Sequence, residues 1–314
     1  MMNERLNKAV IVTAADSGYF DLLDGMIRSV RRFEEWRHAA IVVFDVGFTP
    51  EHRSVLERDG VRLIEPSWHF GLSDETAKSY ERAALVRFFI HDYLPDYDYS
   101  LWLDPDLWLQ DSGVLDRMLD GAEKTGAAIA HESDRLYSFQ GWLWAWNLKH
   151  KIVGSGLRNG LTLMARPSYN LGLYCLKADA PHWTPWRERF EHALVRTKRV
   201  TPYEQFAFNE VIHIDKIPTT ELASSDNWIC DRRPPMFDAD TELFCRPEAP
   251  YPPLSVLHLA GPAKSRTYEI EQKSGGVRTM SLRYPHADHQ GSSDREAAAS
   301  GPTAVDLTVT RLAS

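Results

Sequence analysis

The sequence predicts an α/β fold: a parallel sheet with helices on both faces, in a single domain over residues 1–283 with a tail over 284–314. Two observations carry this expectation. Short apolar, β-branched runs alternate with amphipathic stretches between Ala9 and Leu103, the pattern of strands buried on both faces and joined by crossover helices. After about Arg283 the composition shifts to Ser, Gly, Ala, Asp and His with little apolar periodicity, which predicts a disordered or loosely docked tail.

Taken in order, Ala9-Val10-Ile11-Val12-Thr13-Ala14 is a first, fully buried strand. Asp16-Ser17-Gly18-Tyr19 supplies turn and capping residues before a helix over 20–33 with Leu22, Leu23, Met26, Ile27 and Val30 as its apolar positions. A strand over 39–46, a helix over 50–58 and a strand over 61–64 follow. A long helix over 74–93 is stopped by Pro95, and a fourth strand runs over 99–103. Right-handed crossovers are implied by this alternation. Further on, the pattern gives a helix over 114–124, strands over 127–131, 161–165 and 171–177, helices over 183–197 and from Tyr203, and late strands over 212–217 and 254–259. The aromatic segment 140–147 is ambiguous. Its Trp142, Trp144 and Trp146 alternate as residues on one face of a core sheet do, with a sugar-stacking platform for an acceptor as the rival reading.

Composition bounds the function. A net charge of −8 and the absence of basic blocks argue against a nucleic-acid partner or membrane attachment. No stretch is long and apolar enough to span a bilayer, and residues 1–8 do not open a signal peptide, so a cytoplasmic location is expected. Cys175, Cys230 and Cys245 are scattered and form no zinc or disulfide pattern. His286 and His289 in the tail read as solvated histidines. Composition leaves the oligomeric state open.

Asp104-Pro105-Asp106 is the most informative motif. It follows the apolar run Tyr99-Ser100-Leu101-Trp102-Leu103, so two carboxylates stand at the carboxyl end of a buried strand. Such ends are where ligands bind in open α/β sheets. Buried acids require a cation or several donors, and two carboxylates can present oxygens to one hard divalent ion. An acidic turn stiffened by proline is the plain alternative.

Other features converge on one ligand. Ala14, Asp16 and Tyr19 follow the first strand, with no G-x-G-x-x-G and therefore no dinucleotide fingerprint. Arg87 lies off the Leu85/Phe88/Phe89 stripe of its helix, and could instead pair on the surface with Glu81 or Asp92. Asn170-Leu171-Gly172 opens a strand, and Glu204-Gln205 opens a helix that continues to Asn209. His258-Leu259-Ala260-Gly261-Pro262-Ala263-Lys264 places an imidazole, a glycine and a lysine after a late strand.

Together these residues resemble the retaining nucleotide-sugar glycosyltransferases of the GT-A fold, specifically the GT8-like group that includes bacterial lipopolysaccharide galactosyl- and glucosyltransferases and the glycogenins. The resemblance covers most of residues 8–270 and implies a Rossmann-like, mixed but mostly parallel sheet flanked by helices in a single catalytic domain. It implies Mn²⁺ or Mg²⁺ bound by Asp104, Asp106 and His258. It implies a UDP-sugar donor, with uridine held by Ala14, Asp16 and Tyr19 and the ribose also touched by Asp104. The diphosphate would be held by Lys264 and the Gly261 backbone. Arg87, Asn170 and the Glu204-Gln205 pair would surround the donor hexose, with Gln205 near the anomeric carbon. The reaction implied is hexose transfer, with retention, to a saccharide or other hydroxyl acceptor. Three positions depart from the family pattern: Pro105 within the metal motif, Glu204 in place of an aspartate, and Ser265 after the lysine. A nucleotidyltransferase would share the strand-end acids, but it would carry basic residues after the first strand, where residues 14–19 have none. A non-catalytic nucleotide- or carbohydrate-binding protein is the third reading.

Overall fold

The computed structural model describes residues 5–78 and 80–285. Its residues up to Tyr284 belong to one compact unit, and the expected tail, with His286 and His289, lies from residue 286 onward outside the described residues. In chain order the strands that matter are β1 (Ala9–Ala15), β2 (Ala40–Asp45), β3 (Arg62–Ile64), β4 (Tyr99–Leu103), β5 (Leu107–Leu109), β6 (Ala127–His131), β7 (Tyr169–Lys177), β8 (Thr220–Leu222), β9 (Trp228–Ile229), β10 (Met236–Asp238), β11 (Leu243–Cys245) and β12 (Val256–His258). The helices are α1 (Phe20–Arg31), α2 (Pro50–Arg58), α3 (Glu81–Leu85), α4 (Ile90–Tyr93), α5 (Gly113–Thr125), α6 (Gly141–Ser155), α7 (Leu157–Met164), α8 (Trp183–Thr197) and α9 (Tyr203–His213).

Every residue of β1 and β4 is buried, which places these two strands side by side in the middle of the sheet. The order of the seven-stranded sheet is β3-β2-β1-β4-β7-β6-β8. β7 runs antiparallel to both of its neighbours, β4 and β6, whereas the other pairs are parallel. The sheet is therefore mixed and mostly parallel, as expected. Side chains alternate between two cores. Val10, Val12 and Trp102 pack with Trp186 and Phe190 of α8 and Phe208 of α9 on one face; Ile11, Leu101 and Leu103 pack with Met26 of α1 and Met118 of α5 on the other. A small second sheet, β5-β12-β9, leans on the end of β4.

Four sequence expectations are corrected. The long helix over 74–93 is broken: residues 74–78 are turn and loop, and α3 and α4 are separated by a 3₁₀ stretch, Val86–Phe89. Arg87 sits in that tighter winding. Segment 161–165 is not a strand but the end of α7, which packs so closely on α6 that a Cβ on Gly160 would lie 2.7 Å from the Ile152 backbone. Segment 212–217 is the end of α9 and a turn, and β8 begins only at Thr220. The tryptophans at 142, 144 and 146 lie on α6 and are exposed, so they are not core residues of a sheet. Among the described residues no helix is long and apolar enough to cross a membrane, and the three cysteines are buried and free.

Candidate active site

The Asp104 amide donates to the Gly172 carbonyl (2.8 Å), extending the β4–β7 ladder past the last strand residue. Pro105 then occupies the second position of a tight turn in which Leu107 N donates back to the Asp104 carbonyl (3.3 Å). The chain leaves this turn as β5, whose antiparallel pairing with β12 sets Leu107 opposite His258. Leu259 N donates to the Asp106 carbonyl (2.8 Å), which locks the imidazole strand against the acidic turn. Backbone pairing thus brings residues far apart in sequence to one corner.

At that corner His258 Nε2 lies 3.4 Å from Asp106 Oδ1 and 4.0 Å from Asp104 Oδ2. One potential ligand atom from each of the three residues lies within 4.8 Å of the others. Oxygen and nitrogen atoms bound at about 2.1 Å to a single Mg²⁺-sized ion stand roughly 3–4 Å apart, so the donor set fits one hard divalent ion. Gly172 keeps the space open: a Cβ there would lie 2.5 Å from His258 Cε1, 2.6 Å from Asn170 Oδ1 and 3.0 Å from Asp104 Oδ2. His258 Nδ1 is 2.9 Å from Asn227 Oδ1, an arrangement in which Nδ1 donates and Nε2 is left as the ligand atom. Asn227 is fully buried and donates through Nδ2 to Asn170 Oδ1 (3.0 Å), which also accepts from Gly172 N (2.8 Å).

The electrostatics are those of a compressed charge cluster. Burial works against an ionised Asp106, but His258 and Lys264 outweigh it and hold the carboxyl well below its usual range. Lys264 Nζ stands 2.9 Å from Asp106 Oδ2 and donates to the Tyr19 hydroxyl (2.8 Å). Burial likewise disfavours a charged His258, yet the facing carboxylates raise its pKa. Asp104 Oδ1 accepts from Arg87 Nη2 and from Trp102 Nε1, both at 2.7 Å, and the Arg87 guanidinium also lies over the Trp102 ring. Arg87 therefore turns inward to Asp104, with Glu204 at 3.8 Å, and not to Glu81 or Asp92 on the surface; Asp92 pairs instead with Arg187.

Seven of the predicted residues line one cleft of about 390 Å³: Ala14, Asp16, Tyr19, Arg87, Asp104, Asp106 and Lys264. The others stand beyond its walls. Asp16 also caps the short turn after β1, accepting from Gly18 N (2.9 Å). Gly261 has φ +63°, a backbone region that suits glycine, and starts the 3₁₀ turn that carries Lys264 toward Asp106. Glu204 is 6 % exposed, has no hydrogen-bond partner at Oε2, and is pushed up to about 7 by burial, which Arg87 opposes only in part. Gln205 Oε1 accepts from Asn170 Nδ2 and Leu171 N (both 3.3 Å), and its Nε2 donates to Glu132 Oε2 (3.1 Å).

Sequence reading missed Trp102, Asn227 and Glu132. Trp102 had a signal: two residues before Asp104 on one strand, it shares that residue's face. Asn227 and Glu132 had none, because only tertiary pairing brings them to the site.

No family model matches the chain, and no curated protein matches it by sequence. Among solved structures, an active-site mutant of LgtC is similar over 81 % of this chain and 88 % of its own, at 15 % identity and a TM-score of 0.51. The bifunctional glycosyltransferase WbbM in its apo form is similar over 81 % of this chain but 46 % of its own, at 15 % identity and a TM-score of 0.50. The galactosyltransferase LgtC in complex with donor and acceptor sugar analogues gives 17 % identity and a TM-score of 0.49. By the first two of these likenesses the chain shares the GT-A fold of glycosyltransferases.

Proposed function

We propose that this protein is a metal-dependent, GT8-like glycosyltransferase that moves a hexose from a UDP-sugar to an acceptor hydroxyl with retention of configuration. The observation that carries the reading is the convergence of Asp104, Asp106 and His258 on one ion-sized space at the edge of the cleft lined by Tyr19, Arg87 and Lys264. A nucleotidyltransferase is disfavoured because the end of β1 and the turn after it, residues 14–19, carry no basic residue, and Ala14, Ala15, Asp16 and Tyr19 of that stretch line the cleft.

When bound, Mn²⁺ or Mg²⁺ supplies charge neutralisation for the departing diphosphate. Lys264, on exchanging Asp106 for a phosphate oxygen, would add a second positive group, and the Tyr19 ring, which lines the cleft beside Lys264, would meet the uridine. Arg87 holds Asp104 in place from behind. Hexose transfer forms a bond from the acceptor oxygen to the anomeric carbon and breaks the bond from that carbon to the phosphate oxygen; the hydroxyl proton passes to the departing diphosphate. A covalent route would need a carboxylate beneath the sugar. Glu204 is buried against Arg87 and Gln205 is an amide, so we favour displacement on the same face. A trapped glycosyl adduct on Glu204 would overturn that preference.

The reading is tested by UDP release from a panel of UDP-hexoses with Mn²⁺, with and without EDTA. Release that chelator abolishes is expected; no release with any donor removes the enzyme reading. A second expectation concerns the residue behind the ligand. Asn227→Leu should weaken Mn²⁺ binding about 10–100-fold, because Nδ1 of His258 loses the acceptor that orients the ring. Calorimetric titration of Mn²⁺ in the presence of UDP checks this, and an unchanged affinity would remove the orienting role.

A further inference from the structure

A second cavity, of about 320 Å³, opens beside the same strand ends, and its lining includes Glu132, Lys151, Arg166, Arg232, Trp144 and Tyr137. Its chemistry is unusual in one respect. Lys151 is only 5 % exposed, yet among the described residues no carboxylate reaches ion-pair distance of it; its ammonium hydrogen-bonds the Leu163 carbonyl (3.1 Å) and Ser168 Oγ (3.4 Å), and the Glu132 carboxylate acts on it only from farther off. A buried ammonium whose hydrogen-bond partners are both neutral is costly, and an anion placed closer to it than Glu132 would offset that cost. Arg166 is exposed on the same wall and is likewise unpaired among the described residues. Arg232 is half-buried and holds Glu132 at 3.4 Å. Trp144, half exposed on α6, offers a flat apolar face beside these cations.

One hydrogen bond ties the wall of this cavity to Gln205. Glu132 accepts from Gln205 Nε2 and stands just past β6, where its amide donates to the Ser168 carbonyl (2.7 Å), one residue before β7. Lys151 also sits 5.7 Å from the ring of Phe206, the residue after Gln205. A ligand here would therefore lie across Glu132 from the amide assigned to the anomeric carbon.

We propose that this cavity is the acceptor subsite and that it takes an acidic sugar: the ring packs on Trp144, and a phosphate or carboxylate substituent pairs with Lys151, Arg166 and Arg232. The identification as an acceptor rests on the glycosyltransferase reading; the anionic-sugar chemistry does not. Guanidinium groups match both anions with paired hydrogen bonds, so the sugar class follows from the lining and the source of charge is left to the test.

The test is a ligand-observed NMR titration with glucose, glucose 6-phosphate and glucuronic acid, the nucleotide cleft being kept filled with UDP and Mn²⁺. At least one acidic sugar should bind about tenfold or more tighter than glucose; which one does so identifies a phosphate or a carboxylate as the partner. Arg166→Ala, a change at an exposed side chain, should lower that affinity at least fivefold, and Lys151→Met should do the same. Without ligand, Lys151→Met should melt no lower than the wild type, because it removes an unpaired charge. Equal binding of all three sugars, or unchanged affinity in Arg166→Ala, overturns the proposal; a melting point lowered by many degrees in Lys151→Met makes that lysine a structural strut and overturns its role. If UDP with Mn²⁺ fails to bind while an acidic sugar still does, the donor reading falls and the anionic-sugar site stands. Selective UDP binding without acidic-sugar preference means the opposite: the donor reading stands and the anionic-sugar site falls.

Discussion

Asp106→Asn is expected to lower kcat/KM with a UDP-hexose by about 10³-fold and to abolish saturable Mn²⁺ binding. The magnitude follows from removing one preorganised charge-stabilising element at the leaving group, where a single group typically accounts for 10²–10³-fold and a metal for more. The structure adds a cost that the motif alone conceals. Asp106 is buried, and it faces Lys264 Nζ at 2.9 Å and His258 Nε2 at 3.4 Å. An amide in its place leaves Lys264 without its carboxylate. Lys264 is partly exposed, so water softens the loss, and about 1–2 kcal/mol of stability is expected to go. Chelator-free calorimetry with Mn²⁺ and UDP, alongside urea unfolding, separates the two effects. Wild-type turnover by Asp106→Asn in the presence of EDTA would remove the metal from the mechanism.

The acidic turn was legible because its cause is local: an apolar strand cannot end on two acids without reason. β1 and β4 were legible for the same kind of reason, since fully buried strands read as continuous apolar runs. What failed was periodicity over short aromatic or apolar segments. Trp142, Trp144 and Trp146 alternate, yet Trp142 and Trp146 also stand four apart, and on α6 both fall on the solvent side. Leu161-Thr162-Leu163-Met164 fits either period, and the deciding fact, the close seat of Gly160 on the Ile152 backbone, is tertiary. Within the expected helix over 74–93, the 3₁₀ stretch falls where Arg87 turns inward over the Trp102 ring, a local rule overridden at a candidate functional site. His258 stood out as an imidazole after a late strand, but its ligand role came only from the family resemblance, and its placement depends on β5–β12 pairing that no short segment encodes. Asn227, two positions before β12's partner Ile229 in register, is illegible for that reason too.

The second large effect is one of stability, and it isolates the acid behind Arg87. Glu204 has its folded pKa raised from 4.5 to about 7, first by burial, with Asp104 adding to the rise. The sign is opposite to that of a salt-bridged carboxylate. Between pH 4.5 and 7 the folded state holds a proton that the unfolded chain has lost, so folding stability contributed by this group falls as pH rises through that window. It is fully present below about 4.5 and gone above about 7. A shift of this size corresponds to roughly 3 kcal/mol. Asp106 and Asp134 are shifted down and act in the contrary direction, which would mask the effect in the wild type alone. Comparing Glu204→Gln with the wild type cancels those groups. The variant, neutral at every pH, should be close to the wild type at pH 4.5 and gain on it by about 2–3 kcal/mol by pH 8. Urea unfolding of both proteins at four pH values reads this difference directly. A flat difference would mean that Arg87, 3.8 Å away, keeps Glu204 ionised throughout. Should the stabilised variant also lose turnover, the buried acid is retained for its effect on Arg87 and, through it, on Asp104, at the expense of stability.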